Sequence, residues 1–249
     1  SQTGKDGLSD TLAGRQDVAA VAGMPVVSAW AEGSKPAVLA SLSQSNAQVA
    51  IVSRRGVAAD IRGLRGRTVG IVKTTTSELF LLTMLQTAGL TLQDVETVDF
   101  PNAVSLVDAL VSGQISAASL WEPSLGQALI RLRPDVSVIG NDGSFVDYWL
   151  LVTSEAWLTA NCGTAERLLR ALIKAQEFIR THPDQARDIV MSHVSRDSMM
   201  WDERIFRVRL DTSLLESLKG NARIGLGVAN VAGLEDILHP EVLRAVAPN

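Results

Sequence analysis

Apolar positions along this chain repeat with two periods, and the periods alternate. From Arg67 the pattern is regular. A β-branched run beginning at Thr68 and closing with Ile71 and Val72 predicts a strand over 67–72. Leu81, Met84, Leu85 and Ala88 then recur at i, i+3, i+4 and i+7, one face of a helix over 76–88, and Gly89 stops it. Strands over 95–99, 115–120 and 136–139 alternate with helices over 104–111, stopped by Gly113, and over 123–132. Upstream, 6–14 reads as a short helix and 17–22 as a buried strand. Gly23-Met24-Pro25 breaks that strand, and a helix follows over 26–31, then strands over 36–42 and 49–53. Downstream, 148–153 is a strand, and the character then turns helical. Leu168, Leu172, Ala175 and Ile179 share one helical face up to His182-Pro183, and a second helix runs toward Met191. Further helices are expected over 197–209 and 213–218, with a short terminal segment over 234–245. No internal repeat and no low-complexity linker interrupts the pattern.

Alternating strands and helices predict an α/β fold with parallel crossovers and sheets covered on both faces. The order suggests two lobes, the first from 1–59 and 148–249, the second from 60–147. In such sheets ligands sit beyond the carboxyl ends of strands. Two candidate positions fall there. One is the hydroxyl run Thr74, Thr75, Thr76 and Ser77, where the helix leaves its first N–H groups unpaired. An anion there would meet backbone donors, hydroxyls and the positive end of the helix dipole, the last worth about 0.3–1 kcal/mol when exposed. The competing reading is that Thr75 or Thr76 simply caps the helix. The other position is Trp121-Glu122. Trp121 is either a ligand-packing ring or a core aromatic. Glu122 is either an acceptor for an amine or N–H, or a first-turn acid favoured by the dipole.

Composition narrows the class. A chain of 249 residues with 46% apolar positions can bury a sizeable core, in one large domain or two ordinary ones. A net charge of -4 argues against a nucleic-acid partner. Aromatics at 4% are too few for an extensive stacking groove. The single cysteine, Cys162, can form no internal disulfide, and no Cys/His cluster suggests a metal. No run of 18 apolar residues suggests a membrane span, and the sequence does not open on a signal peptide. Arg54, Arg55, Arg62, Arg65, Arg67 and Lys73 face only Asp60 in sequence, which reads as a solvated surface, an anion-steering patch or a docking face. His182, His193 and His239 are scattered, and no catalytic constellation emerges.

Four motifs together resemble one family. DTLAGRQDVA at 10–19, DIRGLRGRTVG at 60–70, DALVSGQISAASLWEP at 108–123 and FIRTHPDQA at 178–186 are similar, in order and spacing, to the type 2 periplasmic substrate-binding proteins of ABC transporters. The branch is the NMT1/THI5-like group, which binds sulfonates, taurine, nitrate and thiamine precursors. Ser116 stands where the family usually has Asp, and the strand and helix that precede the family's first motif have no counterpart in this sequence. The resemblance implies a two-lobed fold, each lobe a mostly parallel sheet flanked by helices, with a hinge and a ligand cleft. It also implies that Thr74–Ser77 hold a polar or anionic head, that Trp121 and Glu122 contact the ligand body, and that Gly23 and Met24 offer a first-lobe loop. It further implies that Asp147 and Tyr148, at the crossover, contact ligand or shape the hinge. Trp30 and Trp201 are possible cleft aromatics, with helix packing as the alternative. Function then reads as an extracytoplasmic, monomeric, non-catalytic receptor, without cofactor or metal, that captures a small anionic organic solute (sulfonate-, nitrate- or thiamine-precursor-like) in an interlobe cleft and serves an ABC permease. A sensor domain fused to a signalling protein and a thiamine-pyrimidine enzyme are the alternatives. Replacing Thr75 and Thr76 by Ala is expected to weaken binding while sparing stability.

Overall fold

The computed structural model describes residues 3–193 and 205–247. In chain order the elements are helix α1 (Gly4–Leu12), strand β1 (Ala19–Ala22), helix α2 (Gly23–Ala31), strand β2 (Pro36–Ser45), strand β3 (Val49–Ser53), strand β4 (Thr68–Ile71), helix α3 (Thr76–Thr87), strand β5 (Glu96–Asp99), helix α4 (Ala103–Ser112), strand β6 (Ala117–Trp121), helix α5 (Ser124–Leu132), strand β7 (Ser137–Ile139), strand β8 (Asp147–Ser154), helix α6 (Glu155–Thr181), helix α7 (Pro183–His193), strand β9 (Ile205–Arg209), helix α8 (Thr212–Leu226) and helix α9 (Pro240–Arg244). The chain divides into two compact units. The first is Ser1–Ser45, Asp147–Ile189 and Arg204–Asn249, and the second Asn46–Val146 and Val190–Glu203.

The sheet of the first unit has the order β1-β8-β2-β9. Its paired strands all run antiparallel, which corrects the expectation of a mostly parallel sheet here. The cause is topological: β8 inserts between β1 and β2, so the two strands joined through α2 never become neighbours. The apolar runs are explained by burial on both faces. Val21, Val38, Leu150 and Val152 pack with Leu214 and Leu218 of α8. Their alternate neighbours Ala37, Leu39 and Leu151 pack with Leu158 and Leu169 of α6. Each such fully buried Val or Leu contributes about 1.5–3 kcal/mol.

Two local expectations change. The helix after β1 starts at Gly23 rather than 26, because Pro25 sits in its first turn, where a missing N–H costs nothing. The stretch 205–209 is a strand on β2, not part of a helix. Phe206 and Val208 alternate with Arg207 and Arg209, a period of two that the broader helical reading overlooked. The rest of that expected helix, 197–204, and Trp201 lie outside the described residues.

The second unit carries the order β5-β4-β6-β3-β7. Strand β4 runs parallel to β5 and β6, and β3 is antiparallel to β6 and β7, so four of the five strands share one direction. Because β3 pairs here, this unit begins at 46, ahead of the expected boundary at 60. Leu106 and Leu110 of α4 and Leu125 and Ala128 of α5 cover Ala50, Val52, Ala118 and Leu120 of the sheet. Gly70 is what lets α4 approach β4. A Cβ there would lie 2.4 Å from Leu106 Cδ1 and 2.5 Å from Ile115 Cδ1.

Candidate functional site at the strand ends

The turn from β4 into α3 is built almost entirely from its own hydroxyls. Thr75 is the N-cap of α3: its Oγ1 accepts from Ser77 N (3.2 Å) and donates to Val72 O (2.7 Å). Ser77 Oγ accepts from Val72 N (3.2 Å) and donates to Ser119 O on β6 (2.7 Å). Ser119 Oγ returns a bond to Ser77 O at 2.7 Å. Ser77 and Ser119 are wholly buried, and Thr75 and Thr76 nearly so. Thr74 lies in the left-handed region at φ 57, which a β-branched residue adopts only under constraint. Two bonds hold it there: its N–H donates to Glu78 Oε2 (2.7 Å), and its hydroxyl donates to Lys73 O (2.7 Å). Lys73 N donates in turn to Asp99 Oδ1 at 3.0 Å.

The capping reading therefore holds for Thr75, and a structural reading for Ser77. Both hydroxyls are committed to fixing the loop. An Ala at 75 removes a cap worth about 1 kcal/mol and a buried bond to Val72 O, so replacing Thr75 and Thr76 together is expected to lower stability, against the sequence-based expectation that it spares it.

Strand pairing brings the second position to the same end of the sheet. β6 lies beside β4 in parallel, so Trp121 and Glu122 follow the carboxyl end of β6 just as 72–77 follow that of β4. Trp121 is half-buried against the α4–α5 side of the core. Glu122 donates its N–H to Gln48 O (3.0 Å), and its carboxylate accepts from Gly126 N (3.2 Å), so it also serves the first turn of α5. The loop after β7 arrives at this end too. There Phe145 meets Phe80 edge-on at 5.4 Å, and a hydrogen bond from the Ser144 side chain holds the Asp142 carboxyl below its ordinary range.

Two residues of this end escaped the sequence reading, Ser119 and Gln48. The side-chain Nε2 of Gln48 is buried without an acceptor among the described residues. Nothing local marks Gln48. It becomes visible only because antiparallel β3 sets Val49 against Trp121. The basic stretch goes the other way. Arg54, Arg55 and Arg67 adjoin the opposite end of the sheet, where Ser53 pairs with Ala117 and Val69 with Ala117. Arg65 there pairs with Asp94 (3.2 Å), and Arg54 Nη2 donates to Val111 O (2.5 Å). Lys73, by contrast, adjoins the hydroxyl-rich end, where its N–H meets Asp99.

The remaining expected residues fall in the first unit. Pairing of Ala22 with Trp149 sets Gly23 beside Tyr148, so Gly23, Met24, Asp147 and Tyr148 gather at one end of the β1–β8 pair. Met24 is fully buried, and Tyr148 belongs to the core with its hydroxyl 3.5 Å from Ser213 Oγ. Gly23 opens α2, which has no side-chain cap, and a Cβ at 23 would stand 2.9 Å from Asn221 Nδ2. Trp30 sits at the other end of α2. Among the described residues no group of three or more His, Cys, Asp or Glu side chains is arranged to hold a metal ion, and no helix is long and apolar enough to cross a membrane. Cys162 is exposed on α6. His182 stacks on Phe178 at 5.0 Å, and His239 lies between Glu155 (2.7 Å) and Glu241 (2.8 Å).

Comparison with known proteins agrees with this architecture. Residues 2–186 match the family described as NMT1/THI5 like, and the chain belongs to that family. A Brucella abortus (strain 2308) protein, named only as a binding protein, is 22% identical over 171 residues, 68% of this chain and 53% of its own. The chain thus spans about half the length of the curated relatives it matches. The alkanesulfonate-binding protein SsuA of Xanthomonas axonopodis pv. citri, bound to MOPS, superimposes with a TM-score of 0.78. It is 15% identical, and the match covers 96% of this chain and 86% of that one. The desulfurization enzyme DSZB superimposes with a TM-score of 0.70 at 15% identity, covering 92% and 84%. The chain therefore has the periplasmic-binding-protein fold.

Proposed function

We propose that the protein is a non-catalytic receptor for a small polar organic solute, held at the β4–β6 strand ends of the second unit. The observation that carries this reading is the Gln48 amide. A buried donor with no acceptor costs about 1–3 kcal/mol, and it lies at the end where β4 and β6 release Thr74–Ser77 and Trp121–Glu122. A ligand oxygen would satisfy it. The strained backbone of Thr74 supports the same assignment, since such strain collects where ligands are clamped. Trp121 offers a half-buried ring for the solute body.

Charge refines the solute. Glu78, Asp99 and Glu122 approach this end against Lys73, and each carboxylate accepts a backbone N–H. That balance favours a solute with an amine or N–H beside its oxygen acceptors over a bare anion. Aminosulfonates and aminopyrimidine thiamine precursors fit better than nitrate. Names of fold neighbours as alkanesulfonate-binding and as a desulfurization enzyme are compatible with sulfur oxyanions at this fold. The family membership supports an extracytoplasmic location and delivery to an ABC permease. The hydroxyls of the site are spent on loop geometry, and His182 and His239 are engaged elsewhere, so binding without turnover is the reading preferred to catalysis.

The test is a calorimetric titration with taurine, MOPS, linear alkanesulfonates, nitrate and aminopyrimidine thiamine precursors, on wild type and on Gln48→Leu. One class should saturate, and Gln48→Leu should lose about tenfold or more in affinity while melting no lower than wild type. Wild-type affinity in Gln48→Leu would overturn the site. Chemical conversion of the bound compound, followed by NMR, would overturn the receptor reading.

A further inference from the structure

The first unit contains a cavity of about 560 Å³ that the family reading does not use. It is lined by Trp30, Ser34, Lys35, Glu155, Asp236 and Ile237, together with the glycines at 33 and 233. Its place in the fold is distinct from the Gly23–Tyr148 end. Pro36 pairs with Ser154, so the cavity adjoins the start of β2, the end of β8 and the last turn of α2, whereas Gly23 and Tyr148 adjoin the opposite ends of α2 and β8.

Three features give the cavity a specific chemistry. Trp30 is half-buried against the core and is one of the residues lining the cavity. Ile237 supplies a buried apolar floor. The charged groups are divided. Asp236 and Lys35 form no ion pair with each other or with any described residue, although both line one space. Glu155 lines the cavity and is fixed by His239, whose Nε2 lies 2.7 Å from its Oε1. His239 is itself held from behind by Glu241 at 2.8 Å and through its N–H on Val38 O at 3.0 Å. An indole face flanked by carboxylates recognises an organic ammonium, and Trp is the best ring for it. A lone ammonium in the same space recognises a carboxylate. The volume falls in the range of small-molecule sites.

We propose that this cavity binds a small zwitterion of the betaine or amino-acid class. Its ammonium lies against Trp30 between Glu155 and Asp236, and its carboxylate meets Lys35. The site is independent of the strand-end receptor site and stands or falls separately from it.

Indole N–H signals in an NMR titration test it, with Trp30 and Trp121 assigned by Trp30→Phe and Trp121→Phe. The probes are glycine betaine, L-lysine and L-phenylalanine, with choline and acetate as single-charge controls. At least one zwitterion should shift the Trp30 signal saturably and leave Trp121 still. Asp236→Asn and Lys35→Met, both at exposed positions, should each weaken that binding about tenfold, the order expected for losing a charged contact. Choline binding as tightly as the best zwitterion would overturn the two-charge assignment. A still Trp30 signal with all three probes to about 50 mM, far above the range of a useful site, would overturn the cavity as a site. A shift at Trp121 alone would move the zwitterion to the strand-end site.

Discussion

Replacing Ser77 by Ala tests whether the reciprocal serine pair is what fixes the candidate binding loop. Ser77 Oγ makes two bonds: it donates to Ser119 O at 2.7 Å and accepts from Val72 N at 3.2 Å. Ser119 Oγ makes one, to Ser77 O at 2.7 Å. The two hydroxyls are therefore unequal. Ser119→Ala loses a single bond to a carbonyl that keeps its helical partner in α3, at a cost of about 1 kcal/mol. Ser77→Ala loses two and leaves the Val72 N–H without an acceptor in a buried place, a total of about 2–4 kcal/mol. Urea unfolding of the two variants should show unchanged slopes and a larger loss for Ser77→Ala. Native-state hydrogen exchange gives the local reading. The Val72 amide should exchange at least about tenfold faster in Ser77→Ala and nearly normally in Ser119→Ala. Equal destabilisation by the two substitutions, or an unchanged Val72 amide, would refute the assignment of the loop's rigidity to this pair. Because the same turn holds Thr74 in its left-handed conformation, Ser77→Ala should also weaken solute binding beyond its effect on stability.

The core and the pH profile offer two more checks. Gly70→Ala places a Cβ against Leu106 and Ile115, and overpacking of this kind should cost about 1–3 kcal/mol, read as a lower melting temperature. An unchanged melt would mean that α4 yields more readily than its packing implies. At the start of α8, burial alone would raise the Asp211 carboxyl. Hydrogen bonds from Ser213 and Leu214 and the Arg209 guanidinium outweigh it and hold the carboxyl below its ordinary value. A lowered carboxyl stabilises the fold above its unfolded value and loses that contribution as pH falls through the folded value. The deficit of Asp211→Ala, about 1 kcal/mol from the lost cap at neutral pH, should therefore shrink below about pH 4 in denaturation series. A deficit constant across that range would show that the charge plays no part.

Much of this protein is written in local periodicity. The β4–α3 and β6–α5 junctions, the stop at Gly113 and the hydroxyl run at 74–77 follow from spacing that acts within a few residues. The period-two stretch Phe206–Arg209 is equally local, yet it lies inside a longer span, 197–209, for which the sequence suggests helix. What sequence alone could not supply depends on partners far along the chain. The antiparallel first sheet exists because β8 returns between β1 and β2. The placement of β3 in the second unit follows from its pairing with β6 and β7. Thr75 and Ser77 could be read as a cap or as ligand donors, and only the folded chain shows their hydroxyls bonded to the carbonyls of Val72 and Ser119. Gln48 and the Trp30 cavity carry no local signature. A hydrogen bond or a cavity wall needs two groups in one place, and for residues 48 and 122, or 30 and 236, only the folded chain brings them there.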